Sequence, residues 1–86
     1  MKLFVISLAR SAEKSLKQLP EPLKTRIIKS VQALAHDPQP VGCKKMAGTR
    51  STYRIRIQNY RVVYDLDQYQ ITILVLKIAH RREVYR

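Results

Sequence analysis

The apolar residues of the second half of the chain recur with a period of two, whereas those of the first half recur at helical spacing. In residues 53–57 and 60–66, apolar and other side chains alternate as in a half-buried strand. Residues 71–79 are apolar on both faces apart from Thr72 and Lys77, which is typical of a central strand covered on both sides. Asn59 and the pair at 67–68 predict turns between these three strands.

The first half of the chain is predicted to form one short strand, residues 2–7, followed by two helices. Pro20 and Pro22 interrupt the helical pattern and predict a short connection, with Pro22 in the first turn of the second helix. Residues 41–51 are polar and contain both glycines, so we predict a loop there. The predicted apolar stripes are Ala12, Leu16 and Leu19 in the first helix, and Leu23, Ile27, Val31, Leu34 and Ala35 in the second.

These elements predict an α+β fold with the order β-α-α-β-β-β, in which a helical hairpin packs on one face of a small, mainly antiparallel sheet. A chain of 86 residues has the length of one domain, so we expect residues 1–86 to form a single unit.

The chain carries 17 Lys and Arg against 6 Asp and Glu, a formal charge of +11. Because an acidic small molecule needs only a few cations, a surplus of this size favours a polyanion, either nucleic acid or an acidic protein. The surplus is uneven, since residues 44–86 hold ten basic and three acidic side chains. The second half is therefore where we expect the charge to have a function.

Several classes of protein are disfavoured by the same sequence. The longest apolar runs are four residues, whereas a membrane-spanning helix needs about 20. Cys43 is the only cysteine, which excludes an intrachain disulfide and suits a reducing cytoplasm. His36 and His80 lie in different predicted elements, the acidic residues are scattered and no glycine-rich phosphate loop is present, so we expect neither a metal nor a cofactor.

Alternation places Arg54 and Arg56 on the same face of one strand, and a turn at Asn59 brings Arg61 close to Arg56. Guanidinium groups on one sheet face repel one another unless an anion lies between them. The pattern favours a phosphodiester-binding surface, and the alternative is a solvated face of long charged side chains.

The end of the chain adds His80, Arg81, Arg82 and Tyr85 directly after the strand at 71–79. Arginine binds phosphate and an aromatic ring stacks on an exposed base, a combination that suits RNA. Without carboxylates for a metal, the chemistry left open is RNA cleavage by the RNA's own 2′-hydroxyl. Since arginine stays protonated, only His80 and Tyr85 are local candidates for proton transfer.

The order of elements and three segments resemble the RelE branch of the RelE/ParE toxins, over essentially the whole chain. The segments are residues 53–57 (YRIRI), residues 59–64 (NYRVVY) and, most specifically, residues 78–85 (IAHRREVY). Residues 11–20 are similar to the first helix of that family, and residues 45–48 to its loop before the sheet.

The resemblance implies the RelE-like microbial RNase fold and a toxin of a type II toxin–antitoxin pair. It implies an mRNA endoribonuclease that acts in the ribosomal A site, uses 2′-hydroxyl attack without metal and so inhibits translation in the cytoplasm. The implied partners are the ribosome, mRNA and an acidic cognate antitoxin, with DNA contacted only through the antitoxin and no membrane.

The resemblance implies, position by position, that Arg61 and Arg81 stabilise the phosphate in the transition state. It implies that Tyr85 orients the target nucleotide. Arg54 and Arg56 occupy positions where some RelE proteins have lysine, so neither easily acts as a base. We therefore expect His80 to be a candidate base. The residues expected to bind RNA without catalysing the reaction are Arg54, Arg56, Arg82, Lys44 and Lys45.

Two alternative functions stay open at this point. A ParE-like toxin with the same fold would poison DNA gyrase, but would need neither the pair Arg61 and Arg81 nor a terminal tyrosine. A non-catalytic nucleic-acid-binding module would carry the same positive charge but would not cleave RNA.

Overall fold

The computed structural model describes residues 3–80, in which two helices cover one face of a five-stranded sheet. The strands lie in the order β1-β5-β4-β3-β2, and only the pair β1–β5 is parallel. This confirms the predicted α+β fold. The elements are β1 (Val5–Leu8), α1 (Arg10–Lys17), α2 (Leu23–Ala33), β2 (Lys44–Lys45), β3 (Thr52–Ile57), β4 (Tyr60–Asp67) and β5 (Thr72–His80).

The helices bury the predicted apolar stripes against the sheet. Ala12 of α1 and Ile27 of α2 are fully buried, while Leu16 and Leu19 pack at the margin of the core. Before α2 begins, the Glu21 carboxylate accepts hydrogen bonds from the backbone N–H and the hydroxyl of Thr25. The sheet contributes alternate residues to the same core, apart from one irregularity in β5: Ile55, Ile57, Val62, Tyr64, Leu66, Ile73, Val75 and Ile78.

The predicted loop at 41–51 contains a short strand that sequence patterning missed. Lys44 and Lys45 pair antiparallel with Arg54 and Tyr53, forming β2 at the edge of the sheet. Two residues are too few to show a period, so only the partner strand reveals that this segment is extended. The first strand begins at Val5 and ends at Leu8, slightly later than predicted.

β5 departs from regular alternation at one point. Val63 pairs with Lys77 but its neighbour Tyr64 pairs with Val75, so Leu76 is an extra residue, a β-bulge. Because of the bulge, Val75 and Ile78 both face the core although they are three positions apart. This spacing accounts for the continuous apolar pattern of residues 71–79. The predicted covering on both sides is only partly matched, because on the face away from the helices Ala79 is buried but Leu74 is 38% exposed.

Within the described part of the chain, no helix is both long and apolar enough to cross a membrane.

Candidate nucleic-acid interface

Four cationic side chains share the sheet face that the helices leave open, which we call the open face. Arg61 lies directly opposite Arg56 on the neighbouring strand, and Arg54 lies opposite Lys44. Residues directly opposite in an antiparallel pair project from the same face, within about 5.5 Å of each other at Cβ. The alternate residues Ile55 and Ile57 face the core. We call Lys44, Arg54, Arg56 and Arg61 the cationic cluster.

The members of the cluster differ in their exposure. Arg61 is 2% exposed, although its strand position faces away from the helices, whereas Arg56 is exposed and Arg54 is half-buried. A charge held out of water interacts more strongly with a nearby anion than one in bulk solvent. Arg61 therefore provides a buried positive charge, and Arg56 a solvent-exposed one beside it.

A cleft of about 300 Å³ opens beside the cluster at the edge of β3. Three members of the cluster line it, and it continues along β3 because β2 pairs only with Tyr53 and Arg54. Gly42 adopts a φ of +95° on the rim, a backbone conformation that L side chains rarely adopt. We call this the edge cleft; its lining is Val41, Gly42, Lys44, Arg54, Ile55 and Arg56.

The loop that forms the rim of the edge cleft is anchored by two stacked tyrosines. The Tyr64 hydroxyl donates a 2.6 Å hydrogen bond to the carbonyl of Pro38, and the Gln39 amide donates one of 2.8 Å to the Tyr53 hydroxyl. The two rings stack with centroids 6.0 Å apart. Burial, followed by the neighbouring Cys43 thiol, raises the pKa of Tyr64, so the donor stays protonated.

The two lysines of β2 do not project from the same face. Lys44 joins the cationic cluster opposite Arg54, but Lys45 lies opposite Tyr53, whose ring packs on the core side. The prediction that both bind the same RNA is therefore not matched by their orientation, since adjacent strand residues point to opposite faces.

Lys77 extends the basic surface of the open face and was missed by sequence reasoning. Simple alternation from the core residues Ile73 and Val75 assigns position 77 to the core. The extra residue in β5 reverses that assignment, so exposed Lys77 lies opposite Val63 on the open face. Only the isolated lysine in an apolar run indicated that the alternation had failed there.

The same bulge decides the position of His80. Its neighbour Ala79 lies opposite Arg61, while His80 lies opposite Tyr60 and therefore on the helix side of the sheet. The rings of Tyr60 and His80 contact edge to face, with centroids 5.4 Å apart and planes at 80°. The structure brings Arg54, Arg56 and Arg61 together but separates His80 from them by the thickness of the sheet.

The remaining predicted site residues, Arg81, Arg82 and Tyr85, lie outside the described residues. Between residues 3 and 80, no group of three or more His, Cys, Asp or Glu side chains is placed to hold a metal ion.

Comparisons with known proteins point to one family. Residues 6–85 match the model of the family described as the ParE toxin of the type II toxin–antitoxin system parDE. The curated toxin RelG of Mycobacterium tuberculosis is 24% identical over 84 residues, which cover 96% of this chain and 97% of that protein.

Solved structures of RelE toxins share the fold. The archaeal RelE–RelB complex from Pyrococcus horikoshii matches with a TM-score of 0.82 and 26% identity, over 92% of this chain and 96% of that one. The isolated RelE toxin of E. coli matches with a TM-score of 0.80 and 21% identity, over 95% and 90% of the two chains. With the family match across residues 6–85, they show that this chain belongs to the RelE/ParE toxins of type II toxin–antitoxin systems and has a RelE-like fold.

Proposed function

We propose that this toxin is a ribosome-dependent mRNA endoribonuclease that cleaves RNA without a metal ion. The observation that carries the proposal is the pairing of buried Arg61 with Arg56 on the open face, beside a cleft lined by three cations. Such a surface fits a chain of phosphodiesters. The similarity to RelE structures supports the same choice within the family.

In the proposed reaction, the 2′-hydroxyl of one nucleotide attacks the adjacent phosphorus. The bond from phosphorus to the 5′-oxygen of the next nucleotide breaks, leaving a 2′,3′-cyclic phosphate and a 5′-hydroxyl. The 2′-oxygen loses a proton and the departing 5′-oxygen gains one. Negative charge grows on the non-bridging oxygens meanwhile. In this proposal Arg61 stabilises that charge and Arg56 binds the phosphate beside it; a preorganised donor such as Arg61 contributes about 10²–10³-fold in rate.

Proton transfer is the part of the mechanism that the described residues leave unassigned. Arginine stays protonated and therefore serves poorly as a base. Tyr85 and Arg81 keep their predicted roles as proposals, in orienting the nucleotide and stabilising the phosphate. The proposed role of His80 as the base is not supported by its position, since it faces the helices while Arg61 faces the opposite side.

The implied partners follow from the same surface. The solved relative from Pyrococcus horikoshii is a complex of RelE with RelB. We propose that an acidic cognate antitoxin likewise binds this chain and covers the cationic cluster when the toxin is at rest. Ribosomes, and so the cytoplasm, are the proposed place of action, with DNA contacted only through the antitoxin.

A second candidate, poisoning of DNA gyrase, is favoured by the description of the matching family as ParE. Neither that activity nor simple nucleic-acid binding requires the pairing of Arg56 and Arg61 across the hairpin. The two toxin activities differ in their effects in cells: the nuclease arrests translation, while a gyrase poison damages DNA and induces the SOS response.

The deciding experiment is toe-printing of translating ribosomes after addition of the purified toxin. We expect new 3′ ends within the A-site codon, and at least a 100-fold loss of cleavage in Arg61→Met, which keeps an apolar stem but removes the charge. The matched control is Arg10→Met, because Arg10 is an exposed arginine of α1, outside both the cluster and the edge cleft.

Intact mRNA together with an SOS response would replace the nuclease proposal by gyrase poisoning. Intact mRNA, no SOS response and no toxicity, despite RNA binding, would indicate a non-catalytic module.

A further inference from the structure

A second cleft lies at the same end of the sheet as Arg61, but on the side of the helices. Its volume is about 240 Å³, below the roughly 300 Å³ at which pockets for drug-sized ligands begin, so it suits a group as small as one aromatic heterocycle. The C-terminal part of α1 forms one wall and the ends of β4 and β5 form the other. We call it the helix-side cleft; it is lined by Ser15, Gln18, Leu19, Tyr60, Ile78, Ala79 and His80.

The lining of the helix-side cleft combines flat rings with hydrogen-bonding groups. Tyr60 and His80 meet at 80°, which forms a corner into which a planar ring can fit with stacking on one partner. Ser15 and Gln18 supply a hydroxyl and an amide, so donors and acceptors are both available along one wall. Stacking rings and hydrogen-bonding groups are the features by which proteins bind an unpaired base.

The helix-side cleft and the cationic cluster lie back to back. Tyr60 and Arg61 are neighbours in β4 that point to opposite faces, and their partners in β5, His80 and Ala79, do the same. Among the described residues, β1 pairs only with the beginning of β5, from Thr72 to Val75, so the end of β5 forms a sheet edge that β1 leaves uncovered. Binding at both sites requires a single strand of RNA to bend round this edge.

We propose that the helix-side cleft binds one unpaired nucleobase of the RNA whose phosphates occupy the cationic cluster. The inference rests on the proposed function for its substrate, and it extends that function by assigning base recognition to Gln18, Tyr60 and His80. The phosphate contacts of the cluster are independent of sequence, whereas groups that bind a base edge discriminate between bases. The cleft thereby contributes to which codons are cut.

The test uses NMR titration of the full chain with each of the four ribonucleoside 5′-monophosphates. Ribose 5-phosphate serves as the matched probe because it has the same sugar and phosphate without the base. We expect the nucleotides to shift the side-chain amide signals of Gln18 and the ring signals of His80. Ribose 5-phosphate is expected to shift only the signals of the cationic cluster.

A variant provides the second arm of the test. Gln18 is exposed, so Gln18→Ala is expected to fold normally and to weaken binding of at least one nucleotide by threefold or more, changing the order of the four affinities. Gln32→Ala is the control, since Gln32 is an exposed glutamine of α2 that lines none of the clefts described above. On ribosomes, Gln18→Ala is expected to alter the ranking of the codons that are cleaved.

Equal shifts with ribose 5-phosphate, or four unchanged nucleotide affinities in Gln18→Ala, would overturn the inference about the helix-side cleft. Failure of the nuclease proposal has a different signature, which is the absence of mRNA cleavage by the unaltered toxin. In that case the NMR titration still decides whether the cleft binds a base.

Discussion

Arg56 and Arg61 lie directly opposite each other across the β3–β4 hairpin, on the sheet face away from the helices. Like charges at directly opposite positions destabilise a sheet by a few tenths of a kcal/mol to about 1 kcal/mol. An RNA phosphate bound between the two groups would weaken this repulsion. This arrangement connects the stability of the free protein to its proposed activity.

Arg56→Thr is expected to stabilise the free protein while reducing mRNA cleavage. Removal of the opposing charge and the high strand propensity of threonine should together raise the free energy of unfolding by about 0.5 kcal/mol at low salt. Urea denaturation at low salt and at 0.5 M NaCl measures the change, and the gain should shrink at high salt because screening weakens the repulsion. Lys45→Thr is the control, because Lys45 lies opposite Tyr53 rather than a cation. A loss of stability at low salt would contradict the prediction.

Binding of single-stranded RNA should depend less on salt when members of the cationic cluster are neutralised. The logarithm of the association constant falls linearly with the logarithm of the salt concentration. Each phosphate contact removed makes this slope less steep by about 0.7. Arg54→Gln and Arg56→Gln are each expected to lose about one contact, measured by fluorescence anisotropy with a 2′-O-methyl oligonucleotide that cannot be cleaved. Arg10→Gln should keep the original slope. If all three variants lose equal slope, the surface charge acts diffusely and the cluster has no special role.

Tyr64→Phe should remove an alkaline loss of stability. The pKa of Tyr64 is raised by burial, so at pH above about 10, its usual value, the unfolded chain loses a proton that the folded chain retains. Above pH 10 the free energy of unfolding therefore falls by about 1.4 kcal/mol per pH unit. Below pH 10 the Tyr64 hydroxyl makes its full contribution to the free energy of unfolding. Near neutral pH, the variant is expected to lose about 1–3 kcal/mol because the carbonyl of Pro38 loses its donor.

The difference between the unaltered protein and Tyr64→Phe, measured by urea denaturation from pH 8 to pH 11, is the quantity to follow. It should decrease as the pH rises beyond 10. Tyr69→Phe is the control, since the Tyr69 ring is 99% exposed. A difference that stays constant over this range would show that Tyr64 has no part in the alkaline loss.

Deletion of Leu76 should leave a folded protein, because Leu76 is the extra residue of the β5 bulge. Without it, the strand alternates regularly and Lys77 and Ile78 keep their faces. We expect a cost of about 1–2 kcal/mol, since the hydrogen bond from the Ser11 hydroxyl to the carbonyl of Leu76 is lost. Circular dichroism and thermal unfolding measure the result.

Deletion of Leu74 is the matched comparison. It turns the preceding residues, including fully buried Ile73, to the wrong face, and should prevent folding. If the two deletions lower the stability of the protein equally, Leu76 is not the extra residue of the β5 bulge.

Much of the fold could be predicted because it depends on periodicity. The spacing of Ala12, Leu16 and Leu19 was sufficient to predict α1, and the alternation around Asn59 gave the hairpin and placed Arg56 beside Arg61, as observed. Local patterns of this kind report which face a residue occupies within one element. They do not report how one element is shifted against another.

The amino-acid sequence by itself determined the elements, their apolar faces and the concentration of arginine on one hairpin. The tertiary structure alone decided what depends on pairing between distant segments: the edge strand at Lys44, and the bulge at Leu76. The bulge moves Lys77 to the open face and His80 to the helix side, although sequence alternation predicts the reverse. The physical reason is that one extra residue inverts every later position of a strand, and the energy that fixes its location comes from packing against β4 rather than from the residue itself.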